Sequence, residues 1–165
     1  FSGGVRDIDS LRRATEADLP VMIQSLRHML ADMAAVGGYP VAQDSGHWIE
    51  VENEFLDHLG SSDCLHLLAE RAAAPQSAAG WALARITERE PLFEPTWVLH
   101  IHAVYVSPPY RRRGIARALL EALLEWGRER GCVEAELSVL VGNPARALYR
   151  EFGFTEFEIE MTRKL

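Results

Sequence analysis

Residues 97–130 place a strand, a basic turn and a long amphipathic helix in direct succession, and no other feature constrains the fold as tightly. Trp97 to Val106 alternates, is rich in β-branched and aromatic residues, and stops at Ser107-Pro108-Pro109. That is the pattern of a strand. From Gly114 to Arg130, Ile115, Leu119, Leu123 and Trp126 form one apolar stripe, reinforced by Ala118, Leu120 and Ala122. The spacing predicts a helix with one buried face, ended by Gly131. Between the two lies Tyr110-Arg111-Arg112-Arg113. A helix start offers unpaired backbone N–H groups and the positive end of a dipole, so such a junction can hold an anion. Gly114 has no Cβ and lets the backbone approach a ligand, and Ala116 is the next smallest choice where the chain passes again. The other reading of the same residues is a solvated basic loop with Gly114 as a plain turn.

The remaining elements follow from period and punctuation. Residues 8–14 read as a first strand. Thr15, with a carboxylate three residues on at Asp18, marks a helix start. Leu19, Met22, Ile23, Leu26, Met29, Leu30 and Met33 continue it to about residue 35, and Gly37-Gly38-Tyr39-Pro40 ends it. Trp48 to Leu59 reads as a second helix, with Trp48, Val51, Phe55 and Leu59 on one stripe. Cys64–Glu70 and Ala79–Thr87 read as a hairpin around the Ala-rich turn at 71–79. Residues 88–96 hold Pro91 and Pro95 and read as a loop. Val133–Val139 reads as a strand, Pro144–Phe152 as a short helix opened by Asn143 and closed by Gly153, and Phe154–Lys164 as a final, kinked strand. The order β α α β β β α β α β predicts an α/β domain with a mixed sheet.

Composition removes several function classes. A length of 165 residues fits one domain, residues 1–165, with 1–5 set aside as a tail. The formal net charge is -7, which disfavours general nucleic-acid binding because that needs phosphate neutralised by Lys and Arg. No apolar run reaches the ~18 residues of a membrane span, and residues 1–5 lack the basic and apolar regions of a signal peptide. Cys64 and Cys132 are too few for a disulfide framework and wrongly spaced for zinc. A cytoplasmic protein is expected. Neither a Walker loop nor a dinucleotide fingerprint is present.

The segment Arg111-Arg112-Arg113-Gly114-Ile115-Ala116 resembles the Q/R-x-x-G-x-G/A acyl-coenzyme A motif of the GNAT superfamily of N-acyltransferases. Ala147-Leu148-Tyr149-Arg150-Glu151-Phe152-Gly153-Phe154 resembles a second element of that family, and Leu11 to Pro20 resembles its first strand and helix. The likeness covers essentially the whole chain. It implies a mixed, mostly antiparallel central sheet of about six to seven strands flanked by about four helices. It implies acetyl-CoA as co-substrate, its pyrophosphate on Arg112, Arg113, Gly114, Ile115 and Ala116, with Arg111 and Arg117 beside them. The pantetheine arm would pair with the backbone of Val104 and Val106. Family analogy also admits a homodimer.

Acyl transfer from a thioester needs a neutral amine, stabilisation of developing negative charge, and protonation of the departing thiolate. Tyr149 occupies the family's tyrosine position, and a phenol of pKa ~10 can protonate a thiolate; the other reading is a core tyrosine. His100 and His102 share one face of a strand and are the candidates for accepting a proton through water, or are structural histidines of the sheet surface. No third ligand completes a His-x-His metal site. The family often places an asparagine seven residues before the tyrosine; that position is Gly142 here, and Asn143 either holds the cofactor or caps the helix. Asp44, His47, Trp48, Glu50 and Glu54 are candidates to line the acceptor side, or form a solvated helix face. The expected activity is acetyl transfer to a primary amine of a small molecule or peptide in a ternary complex. The alternatives are a non-catalytic acyl-CoA sensor and an RNA-associated protein using Arg111–Arg113.

Overall fold

A computed structural model describes residues 10–71, 74 and 77–165. The expected tail at 1–5, the first two residues of the 8–14 strand and part of the 71–79 turn lie outside them. The elements are β1 (Ser10–Arg13), α1 (Leu19–Ala35), α2 (Ser45–Gly60), β2 (Cys64–Glu70), β3 (Gly80–Glu88), β4 (Trp97–Val106), α3 (Ile115–Glu129), β5 (Glu134–Leu137) and α4 (Arg146–Glu151). The sheet runs β1-β2-β3-β4-β5. Its first three pairings are antiparallel, and β4–β5 is parallel.

β2 and β3 are buried on both faces because helices cover both. On one face, α3 drives Ile115, Leu119, Leu120 and Leu123, each at most 1% exposed, onto Leu67, Ala82, Ala84, Leu99 and Ile101. The approach is close: a Cβ added to Gly127 of α3 would stand 2.8 Å from Leu99 Cδ2. On the other face, α1 and α2 bring Met22, Ile23, Trp48 and Phe55 onto Leu68, Trp81, Leu83 and Tyr105. Burying these side chains is the main favourable term, at about 1.5–3 kcal/mol for each large one.

The start of α1 is tied to the sheet by charge. Thr15 N–H donates to Asp18 Oδ2 at 2.8 Å, closing a capping box over a short 3-10 turn. The Arg12 guanidinium grips the same carboxylate through two bonds of 2.7 and 2.8 Å, and its Nε lies 3.1 Å from Glu70 Oε2 on β2.

The sequence expectations for β2 and β4 match residue for residue, and β3 differs by one position at each end. α2 begins at Ser45, earlier than the expected Trp48, because Asp44 caps it by accepting from Gly46 N–H at 2.8 Å. β5 and α4 are shorter than expected. The larger difference is the last strand. Residues 154–164 form no strand, and the sheet has five strands where six to seven were expected. Phe157, Ile159 and Met161 do alternate with glutamates, but they are 95%, 81% and 89% exposed. Alternation provides two faces; a strand also needs a neighbour for its backbone groups.

Hydrogen bonds from Arg12, and then from Thr15, outweigh burial and hold the Asp18 carboxyl at about 2, below its ordinary 3.8. The stability this supplies is complete above pH 3.8 and is lost as pH falls through about 2. Asp18→Asn is expected to cost roughly 2 kcal/mol at pH 7 by urea denaturation. The gap to the parent protein should close as the solution is acidified. Equal stability at pH 7 would contradict this reading.

Candidate active site

The site is built where two neighbouring strands part. β4 and β5 pair only from Val98–Ile101 to Glu134–Leu137. β4 then continues to Val106, while the chain after Leu137 leaves the sheet. Beyond Ile101 the outer edge of β4 has no strand partner among the described residues. Ser107 N–H turns back to Ala79 O at 2.9 Å, whereas Val106 O receives Arg111 Nε at 2.8 Å. Backbone groups alternate in direction along an antiparallel strand. Those of Val104 and Val106 are therefore directed to the open edge.

That edge runs into the basic turn. Arg112 has φ 64° and Gly114 φ 83°, both left-handed. Glycine adopts this at little cost, while a side chain strains it by ~1–2 kcal/mol. Alternating hands turn successive N–H groups toward one concavity, a shape that holds anions. The first helical bond of α3 runs from Ala118 N–H to Gly114 O at 3.0 Å. The amides of Ile115, Ala116 and Arg117 precede it, at the positive end of a 15-residue helix.

The arginines divide their labour. Arg111, expected beside the pyrophosphate, is turned away: its Nη2 lies 2.6 Å from Asp32 Oδ2 of α1. Its guanidinium stands 5.7 Å from the Tyr105 ring. Arg117 pairs with Glu151 and lies 5.2 Å over Phe152, which joins α3 to α4. Arg112 and Arg113 remain at the concavity by position.

α4 carries Tyr149, which packs against the α3-side core, edge-on to Phe154 at 6.0 Å. Burial pushes its phenol above the ordinary 10, so it stays protonated at neutral pH. Asn143 caps the turn into α4: its Oδ1 accepts from Ala145 N–H at 2.9 Å.

His100 and His102 do share a face, with ring centroids 4.4 Å apart. It is the α1/α2 face, opposite to the Ile101 side chain. Leu83 pairs with Ala103 but Ala84 with Ile101, so His102 is the extra residue of a β-bulge. Burial first, then His100, His58 and Arg85, pull the His102 imidazole down to about 4, although part of the ring still meets solvent. Among the described residues, no hydrogen bond or ring contact joins Tyr149 to either histidine. The two kinds of group lie on opposite faces of the sheet.

The expected acceptor residues separate. Trp48 belongs to the core: it is 6% exposed, its indole N–H donates to Ala42 O at 3.2 Å, and the Arg27 guanidinium lies 3.7 Å over the ring. Asp44 is the cap of α2, with His47 Nδ1 3.1 Å from it. Glu50 and Glu54 are exposed. Sequence reasoning missed Tyr105, buried beside Arg111: strict alternation puts it with Leu99 and Ile101, and the bulge at His102 moves it to the α1/α2 face. It also missed the left-handed Arg112 and the bulge at His102, for which the sequence carries no signal. Among the described residues, no group of three or more His, Cys, Asp or Glu is arranged to hold a metal.

An NMR titration of the imidazoles, assigned with His102→Gln, is expected to show His102 neutral from pH 5 to 8 with a midpoint near 4. A midpoint at the ordinary histidine value of ~6.5 would overturn the description of its surroundings.

Comparison with known proteins shows the family and the fold. A stretch of the thialysine N-epsilon-acetyltransferase of Caenorhabditis elegans is 45% identical over 58 residues, 33% of this chain and 36% of that protein. The [ribosomal protein bS18]-alanine N-acetyltransferase of Escherichia coli K12 is 42% identical over 57 residues, 34% of this chain and 38% of the relative. These matches thus span little more than a third of each relative's length. The crystal structure of a predicted acetyltransferase from Clostridium acetobutylicum, solved with acetyl-CoA, superposes with a TM-score of 0.77 over 94% of this chain and 95% of that one, at 19% identity, and shares the fold. The profile of the acetyltransferase (GNAT) family matches residues 27–154. From the parted strands through the amide-lined turn to α4, that match takes in the whole of the site, and the chain belongs to the acetyltransferase (GNAT) family.

Proposed function

We propose that this chain transfers an acetyl group from acetyl-coenzyme A to a primary amine of a small molecule or peptide, by direct attack in a ternary complex. One observation carries the reading: the open edge of β4 leads, across the short turn at 107–111, into the left-handed, amide-lined turn at the start of α3. An extended arm ending in a diphosphate fits that edge and that turn. The family, and the N-acetyltransferases similar to short stretches of the chain, support the same reaction class. Two free, buried cysteines suit work in a reducing cytoplasm.

In this reading the backbone groups of Val104 and Val106 hold the arm. The amides from Arg112 to Arg117 hold the diphosphate, helped by the Arg112 and Arg113 side chains. Val106 offers less than the sequence suggests, because its carbonyl already accepts from Arg111. Asn143 supports α4 and leaves the cofactor to the turn. Bound acetyl-coenzyme A supplies an activated carbonyl and a thiolate leaving group.

The chain's residues supply the rest. Presenting a lysine-like amine in its neutral form costs about 4.6 kcal/mol at pH 7. A histidine held near 4 is too weak a base to keep a proton taken from an ammonium of pKa ~10.4. His102 therefore orients the amine or a water as a neutral imidazole, and its bulged backbone N–H is a donor for developing charge on oxygen. His100, on the same face, is the position for accepting the proton through water. Tyr149, kept protonated by burial, gives its proton to the departing thiolate.

Tyr149→Phe is expected to lower kcat by ~10²-fold or more while coenzyme A affinity stays within about twofold, because the phenol acts on the reaction and not on the grip. Thiol release from acetyl-CoA with a panel of amines, beside calorimetry with coenzyme A, checks both quantities. Unchanged turnover would remove Tyr149 from the mechanism. Coenzyme A binding by the parent protein with no turnover on any amine would favour a sensor.

A further inference from the structure

α2 lies against β2 across a cavity of about 80 Å³, lined in part by Arg13, His58, Ser61, Cys64 and His66. His66 is 3% exposed. The Trp81 indole N–H donates to its Nδ1 at 3.2 Å. An indole nitrogen only donates, so Nδ1 carries no proton, and in the neutral ring the proton sits on Nε2. Burial keeps that ring neutral, holding it near 3. His66 Nε2–H is thus a buried donor, and it has no hydrogen-bond partner.

His58 is its complement. Its Nε2 faces Glu54 Oε1 at 3.6 Å. That is an ion-pair distance and not a hydrogen bond, but the negative charge of the carboxylate favours the proton on Nε2, which leaves Nδ1 the acceptor. That Nδ1 is buried and also has no hydrogen-bond partner. The two rings tilt toward each other with centroids 5.7 Å apart. The lone donor and the lone acceptor belong to two residues that line the same cavity, and buried polar groups left so are rare in folded proteins.

We propose that this cavity is a hydration site in which a water accepts from His66 Nε2–H and donates to His58 Nδ1, bracing α2 against β2. The occupant has to accept one hydrogen bond and donate another, which a hydroxyl does. A metal ion is excluded by the proton on His66 Nε2. The volume exceeds the ~15 Å³ that one water requires, so a small cluster fits, with Ser61 and Cys64 at its margin. The chain of bonds ends at the Trp81 N–H, which has no acceptor lone pair to pass a proton onward. The water is therefore a brace and not a proton relay. What it braces is the helix that carries Trp48 and Phe55 into the α1/α2-side core.

The test uses the unaltered chain first. Nitrogen-15 NMR of the imidazoles should show His66 and His58 both neutral and both protonated at Nε2. A crystal structure should show water density within hydrogen-bond distance of His66 Nε2 and His58 Nδ1. One equivalent of zinc should leave both ring patterns unchanged. In His58→Leu the bridging density should be lost while His66 keeps its Nε2 proton. A dry cavity, a His66 protonated at Nδ1, or zinc shifting both rings together would each overturn the proposal.

Discussion

A parallel pair of strands that stays together for four residues and then parts leaves a row of backbone groups needing partners. Everything at the site follows from that separation. β4 runs on to Val106 paired with β3 on its inner edge only, and the turn after it ends in the unpaired amides of α3. An open edge and a helix start are each common. Here one leads into the other across the short turn at 107–111, a layout suited to an extended ligand with an anionic tail.

That line has to be held still, and most of the surrounding interactions do this. α3 is locked onto β4 by its fully buried leucines and by the close approach at Gly127. Arg111 clamps the turn to Val106 O and to Asp32 of α1. Arg117 joins α3 to Glu151, and so fixes the helix that carries Tyr149. On the other face, the Arg12–Asp18 pair and the capping box seat α1. Arg111 and Arg117 thus hold the turn to the elements around it. Attraction alone does not assign an arginine to a ligand when a carboxylate lies within reach.

The sequence is most legible where one short-range rule decides the structure. Alternation, β-branched and aromatic content and the stop at Ser107-Pro108-Pro109 give the limits of β4, and the apolar stripe with its terminal Gly131 gives α3 to within one residue at either end. The glycine at the turn is legible too, because its left-handed φ of 83° is one that glycine adopts readily. What stayed hidden depends on partners distant in sequence. The salt bridge of Arg111 joins residues 79 apart. The bulge at His102 exists only relative to β3. Trp48 reads both as part of an apolar stripe and as a candidate for the acceptor side, and only the packing, with Arg27 over its ring, assigns it to the core. Residues 154–164 have the alternation of a strand without the neighbour that would make them one.

The account stands on the claim that backbone amides from Arg112 to Arg117 grip a diphosphate at the end of an arm lying along β4. Amide NMR spectra recorded while coenzyme A is added report on those groups directly. The largest shifts are expected on residues 112–117, with a second set on the open edge of β4 from His102 to Val106. Shifts confined to other elements, or spectra unchanged by coenzyme A, would contradict it.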